Sequence, residues 1–239
     1  MPHFVKRLLK ALKALNVVYN GNYDILTINN TENEMVKAIL FDFGGVIYKH
    51  PKAVIPQVLS VIFNQPEEKI GKEYGKYKNQ FFAGKISSEK LLDSLKQKFS
   101  TKKTIEELEK EWLRVYGELA RPDEGILSLL NDLKGKYKLY LFTNTTKMSD
   151  RHNRRTGIYN YFDDLFCSFK IGLVKPDPKI YQFAISKIGI KPEECILIDD
   201  LEENLSPARN LGIKTLLFDV LKENPKKLGI ELKKLGVTS

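Results

Sequence analysis

Residues 36–47, VKAILFDFGGVI, decide how the rest of the chain is read. An uninterrupted apolar run, Ala38–Phe41, ends directly in Asp42 and is followed by Gly44 and Gly45. A short run that is apolar on both faces is what a parallel sheet covered by helices requires. A carboxylate at its end would lie at the mouth of such a sheet, where two glycines let the backbone turn close to a ligand. Taken alone, the segment also fits a plain turn.

Outward from this stretch the same design recurs. With 38–42 (AILFD) as the first, residues 138–143 (KLYLFT), 164–168 (DLFCS), 195–199 (CILID) and 214–218 (KTLLF) read as strands. Helical patterns separate them. Pro122 is expected to open a helix whose stripe is Ile126, Leu129, Leu130 and Leu133, closed by Gly135. A second is expected over 178–188, with Ile180, Phe183, Ala184 and Ile188 inward and Gly189 at its end. The alternation predicts an α/β fold with a doubly wound, parallel, Rossmann-like sheet.

Residues 52–120 break that rhythm, because only helical patterns occur there. Ser87 precedes one, and in TIEELEKEWLRVYGEL (104–119) the inward set is Ile105, Leu108, Trp112, Val115 and Leu119. The block reads as an all-helical cap inserted into a core made of 35–51 and 121–239, over the carboxyl ends of the strands. Residues 1–34 read as an appendage: a basic amphipathic helix with Phe4, Val5, Leu8, Leu9, Leu12 and Leu15 on one face, then a hairpin turning at Asn20–Gly21.

Composition limits the function classes. The 239 residues are 42% hydrophobic and 29% charged, an ordinary balance for a packed domain. The net charge of +9 comes from lysines spread over nearly every helix and mixed with glutamate. That distribution fits a solvated surface with some attraction for anionic small molecules, and no nucleic-acid partner is expected. No stretch reaches the length of a membrane span. The only cysteines, Cys167 and Cys195, sit in apolar runs, which suits buried thiols in a reducing, cytoplasmic setting.

Three further motifs join FDFGGVI. In LFTNT (141–145) a strand ends in Thr143 and Asn144, whose hydroxyl and backbone N–H groups suit either phosphate oxygens or helix capping. In KIGLVKPDPKIY (170–181) Lys175 is held by a stiff Pro-Asp-Pro segment. In ILIDDLEEN (196–204) Asp199 and Asp200 end a buried strand, where adjacent acids are costly unless a cation lies near them. Magnesium takes oxygen ligands and needs only one or two carboxylates.

The order Asp42, Thr143, Lys175, Asp199–Asp200, each after a strand, resembles the four-motif pattern of the haloacid dehalogenase-like hydrolases. The closest likeness is to the subfamily whose helical cap follows the first motif, and it covers about residues 36–220. Residues 172–218 also resemble the phosphatase domain of soluble epoxide hydrolases, and the glycine at position 44 resembles sugar-1-phosphate phosphatases. The resemblance implies a magnesium-dependent phosphatase acting on a small phosphorylated metabolite. Asp42 would be the nucleophile that becomes an aspartyl phosphate. Thr143, backbone donors near Asn144, and Gly44–Gly45 would hold the phosphoryl group, with Lys175 offsetting its charge. Asp42, Asp200 and the Gly44 carbonyl would bind Mg2+, with Asp199 and Asn204 in support.

Phosphatases of this pattern usually carry a second aspartate two residues after the nucleophile, as a general acid and base. Here that position is Gly44. A substrate with a good leaving group, or another residue such as His50, would compensate, although a histidine at a cap hinge also serves structurally. A 2-haloacid dehalogenase and a phosphate-binding relative with weak catalysis are the competing readings. Tyr74, Tyr77, Phe81 and Phe82 would either floor a substrate pocket or pack inside the cap.

Overall fold

The computed structural model describes residues 17–19, 25–28, 35–50 and 53–238. The expected amino-terminal helix and the Asn20–Gly21 turn lie outside these residues. The chain divides into two compact units, 1–35 and 36–239. In the first, β1 (Val17–Tyr19) pairs antiparallel with β2 (Ile25–Ile28).

The strands of the second unit are β3 (Ala38–Phe41), β4 (Tyr48–Lys49), β5 (Arg121–Pro122), β6 (Lys138–Thr143), β7 (Asp164–Cys167), β8 (Cys195–Asp199) and β9 (Lys214–Leu217). Five of them form one sheet in the order β7-β6-β3-β8-β9, with every neighbouring pair parallel. The strand that leads into Asp42 is therefore central.

Alternation along the strands builds two cores. Ile39, Phe41, Leu139, Leu141, Ile196 and Ile198 face one side, where they meet Ile126, Leu130, Leu228 and Leu232. Ala38, Leu40, Phe142, Cys195 and Leu197 face the other, against Ile180, Tyr181, Ala184, Leu205 and Ala208. The covering helices are α6 (Glu124–Leu133) and α11 (Pro225–Lys234) on the first face, and α9 (Pro178–Ile188) and α10 (Glu202–Asn210) on the second; α7 (Lys147–Arg155) and α8 (Ser168–Ile171) come between α6 and α9 in the chain. Each large apolar side chain buried this way contributes roughly 1.5–3 kcal/mol.

Five helices fill the segment between β4 and β5: α1 (Val54–Phe63), α2 (Glu67–Gly75), α3 (Lys78–Phe82), α4 (Ser88–Phe99) and α5 (Ile105–Leu119). Their starts follow local rules. Ser87 accepts a hydrogen bond from the Lys90 N–H, and Thr104 and Glu107 form a reciprocal capping box. Leu91, Leu92, Leu95, Leu108, Trp112 and Val115 make their shared core, with Ile105 and Leu119 only partly buried. The points where the block leaves and rejoins the sheet are tied by the β4–β5 ladder, Tyr48 opposite Pro122 and Lys49 opposite Arg121.

Two sequence expectations change. Pro122 does not open α6; it lies in β5, and Asp123 caps the helix by accepting from the Ile126 N–H at 3.0 Å. Aspartate supplies the side-chain acceptor that a helix start needs, which proline cannot. On α9, Phe183 is exposed and Tyr181 is buried instead. The Tyr181 hydroxyl gains a partner there, donating to the Asn204 carbonyl at 2.7 Å, as a buried phenol requires.

Candidate active site

Register places the motif residues side by side. Phe41 pairs with Ile198, so the next residues on each strand, Asp42 and Asp199, emerge together at the carboxyl end of the sheet. The Asp42 N–H donates to the Ile198 carbonyl at 2.8 Å, which holds the turn against β8. On the other side of β3, Thr143 is the last residue of β6.

Lys175 reaches this point from the Pro-Asp-Pro segment and spends all three ammonium protons. It donates to Asp42 Oδ1 at 2.7 Å, Asp199 Oδ2 at 2.6 Å and the Phe142 carbonyl at 2.9 Å. Its backbone is clamped by Asn144, which donates to the Lys175 carbonyl and accepts from the Lys175 N–H, both at 2.8 Å. Asp199 is fully buried. Its Oδ1 accepts from the Leu201 N–H and from Asn204 Nδ2, each at 2.9 Å. Charges this deep are tolerated because each is paired and hydrogen-bonded.

Electrostatics follow from that packing. Burial pushes the Asp42 carboxyl up to about 7; Lys175 opposes the rise, and Asp199 and Asp200 add to it. Burial works against the charge on Lys175, yet Asp199 and Asp42 outweigh it and raise its pKa. Asp42, Asp199 and Asp200 each bring one carboxylate oxygen to within 4.8 Å of the others. Asp199 has committed its oxygens to Lys175, Leu201 and Asn204, whereas Asp42 and Asp200 line an open cleft. Two cleft-facing carboxylates beside a third acid fit a hard divalent cation.

The cleft holds about 460 Å³. Its floor is Asp42, Gly44, Gly45, Thr143, Asn144, Lys175, Asp200 and Asn204. Of the residues given site roles in the four motifs, all line this cleft except Asp199, which stands behind Lys175. The helical block supplies the roof, including Ile55, Tyr74, Phe82 and Tyr116. Of the four aromatics noted in the helical block, Tyr74 and Phe82 reach the cleft, while Phe81 packs edge-on against Trp112 at 6.0 Å.

The two glycines are there for different neighbours. A side chain at Gly45, whose φ is +81°, would strike the Asp200 carboxylate at 2.5 Å. One at Gly44 would strike the His50 ring, with Nε2 at 2.2 Å. Sequence reading missed Ser168 and Tyr181 as supports. The Ser168 hydroxyl accepts from the Thr145 N–H at 3.0 Å and lies 2.7 Å from the Phe82 carbonyl, joining the second motif to the roof. Nothing in the linear order signals either contact, since both partners come from distant elements.

The family described as haloacid dehalogenase-like hydrolase matches residues 36–212. This chain belongs to that family. Among curated relatives of these hydrolases, a D-ribitol-5-phosphate phosphatase of Bacteroides thetaiotaomicron is 26% identical over 191 residues, 76% of this chain and 91% of that one. Bifunctional epoxide hydrolase 2 of Rattus norvegicus is 42% identical over 57 residues, 24% of this chain and 10% of the relative, in keeping with the resemblance read from the sequence. A solved haloacid dehalogenase family enzyme of Bacteroides thetaiotaomicron, a variant in complex with magnesium and inorganic phosphate, superposes with a TM-score of 0.62. It is 25% identical, and the match covers 76% of this chain and 93% of that one. Among the described residues, no helix is long and apolar enough to cross a membrane.

Proposed function

We propose that this hydrolase is a magnesium-dependent phosphatase of small phosphorylated metabolites, working through an aspartyl phosphate on Asp42. The observation that carries this reading is the meeting of Asp42, Lys175 and Asp200 at one cleft wall, with Asp199 bonded to Lys175 behind them. The named phosphatase relative and the neighbour holding magnesium and phosphate support it. The helical block, residues 52–120, is proposed as the cap, and its cleft-facing side chains as the source of substrate preference. The two buried free cysteines suit a reducing, cytoplasmic setting.

The positions of the residues support this mechanism. Lys175 holds Asp42 at Oδ1, which orients the carboxylate and favours its ionised form against the effect of burial. The new bond forms between an Asp42 oxygen and phosphorus as the leaving-group oxygen departs. Water then cleaves the aspartyl phosphate. The Thr143 hydroxyl and the Asn144 N–H are assigned to the phosphoryl oxygens; the Thr145 N–H is already bonded to Ser168. Asp42, Asp200 and the Gly44 carbonyl would hold Mg2+, which when bound neutralises charge on the phosphoryl group. Asp199 and Asn204 keep Lys175 and the second acidic loop in place.

The test is phosphate release from a panel of sugar, polyol, acyl and aryl phosphates, with magnesium or with EDTA, alongside Asp42→Asn. Release that needs magnesium and drops by at least about 10⁴-fold in the variant is expected for loss of a nucleophile. No release from any ester, with halide released from 2-haloacids instead, would replace this reading with the dehalogenase.

A further inference from the structure

Within the phosphatase reading, the chain lacks a carboxyl group two residues after its nucleophile, because Gly44 stands there. We propose that His50 fills that role, giving a proton to the leaving group and taking one from the attacking water. The assignment comes from space. The point where a side chain at position 44 would begin is 2.2 Å from His50 Nε2 and 2.4 Å from its Cε1. The imidazole thus occupies the volume that a residue-44 side chain would need. It also lines the cleft together with Asp42, Thr143 and Asp200.

The chain between the two residues is built to bring them together. Ile47 and Tyr48 both donate their N–H to the Phe43 carbonyl at 3.0 Å, and the Gly45 N–H donates to the Tyr48 carbonyl at 3.0 Å. Phe43 and Tyr48 stack with ring centroids 4.3 Å apart, which fixes the turn. β4 then leads from Tyr48 back over Gly44, so that position 50 arrives above position 44. An imidazole offers a ring N–H donor whether neutral or charged, and an acceptor nitrogen when neutral.

The proton balance closes without a further reagent. In the first step the Asp42–phosphorus bond forms, the phosphorus–oxygen bond to the leaving group breaks, and the proton on Nε2 passes to that oxygen as it departs. In the second, water attacks phosphorus and gives a proton back to Nε2, and the bond to Asp42 breaks. The products are the alcohol and inorganic phosphate.

The experiment compares kcat/KM, which reports the first step, for benzyl phosphate and p-nitrophenyl phosphate in the magnesium-loaded protein. The two esters are similar in size, but only benzyl alcohol leaves poorly without a proton. His50→Ala and His50→Gln are both expected to lose about 10²-fold or more on benzyl phosphate and less than about tenfold on p-nitrophenyl phosphate. Gly44→Asp in the His50→Ala background, where the ring no longer blocks the new side chain, is expected to regain about tenfold or more on benzyl phosphate.

Equal losses on the two esters, full activity of His50→Gln, or a parent protein that turns over only p-nitrophenyl phosphate would each overturn the assignment. A parent that releases phosphate from neither ester, nor from the wider panel, would instead remove the phosphatase reading and this inference with it.

Discussion

At the floor of the cleft, Lys175, Asp199 and Asn204 are buried and spend their polar atoms on one another and on Asp42. The roof meets the same space through Ile55, Tyr74, Phe82 and Tyr116, and its own interior is apolar packing around Trp112. Tyr74 Oη and Trp112 Nε1 are even buried with no hydrogen-bond partner. Directional bonds fix the floor to a single arrangement, because each broken bond leaves a buried charge unpaired. Packing is non-directional and tolerates changes of similar volume. The floor is therefore suited to chemistry that needs fixed geometry, and the roof to selecting among substrates.

That contrast is most open to attack at Lys175. Lys175→Ala leaves Asp42 and Asp199 facing each other uncompensated, and is expected to cost about 3–5 kcal/mol of stability besides activity. Urea unfolding of the metal-free protein measures it; a loss under about 1 kcal/mol would mean that the floor is no more rigid than the roof.

The next effect concerns pH. The folded pKa of Asp42 is raised from 3.8 to about 7, so the native state binds more protons than the unfolded state between these values. This contribution to stability is fully present below about pH 4 and is lost as pH rises through about 7. Metal-free protein should therefore show a descending stability component across that window. Subtracting the urea midpoints of Asp42→Asn isolates it; identical profiles for the two proteins would contradict the burial effect.

The smallest change tests the roof. A Cβ at Gly71, on the cleft face of α2, meets nothing within 4 Å. Gly71→Ala should add about 0.5–1 kcal/mol by favouring the helix. It should leave kcat nearly unchanged and shift KM unequally among substrates, since only the roof is altered. Uniform kinetics across the panel would show that substrates do not touch this helix.

Much of the architecture was legible because it is encoded locally. The strands starting at Ala38, Lys138, Asp164, Cys195 and Lys214 lie where their apolar runs lie, and Thr104 with Glu107 marks the start of α5. Errors arose where tertiary partners competed with local preference. Pro122 was drawn into a ladder with Tyr48, and Tyr181 took the buried position expected for Phe183 because Asn204 offered its hydroxyl an acceptor. The site was legible as residue types at strand ends, but their division of labour was not. Adjacent Asp199 and Asp200 look equivalent in the sequence; Asp199 ends β8 and bonds to Lys175, whereas Asp200 lies past the strand end and lines the cleft.

The sequence by itself determined the central acid, the order of the strand-end motifs and the helical insertion, because hydrophobic period, glycine, proline and capping residues act within a few positions. Only the tertiary structure decided that Lys175 joins Asp42 to Asp199, that Ser168 links the second motif to the roof, and that His50 stands where Gly44 has no side chain. Those contacts depend on strand register and the path of a turn, and distance along the chain carries no information about either.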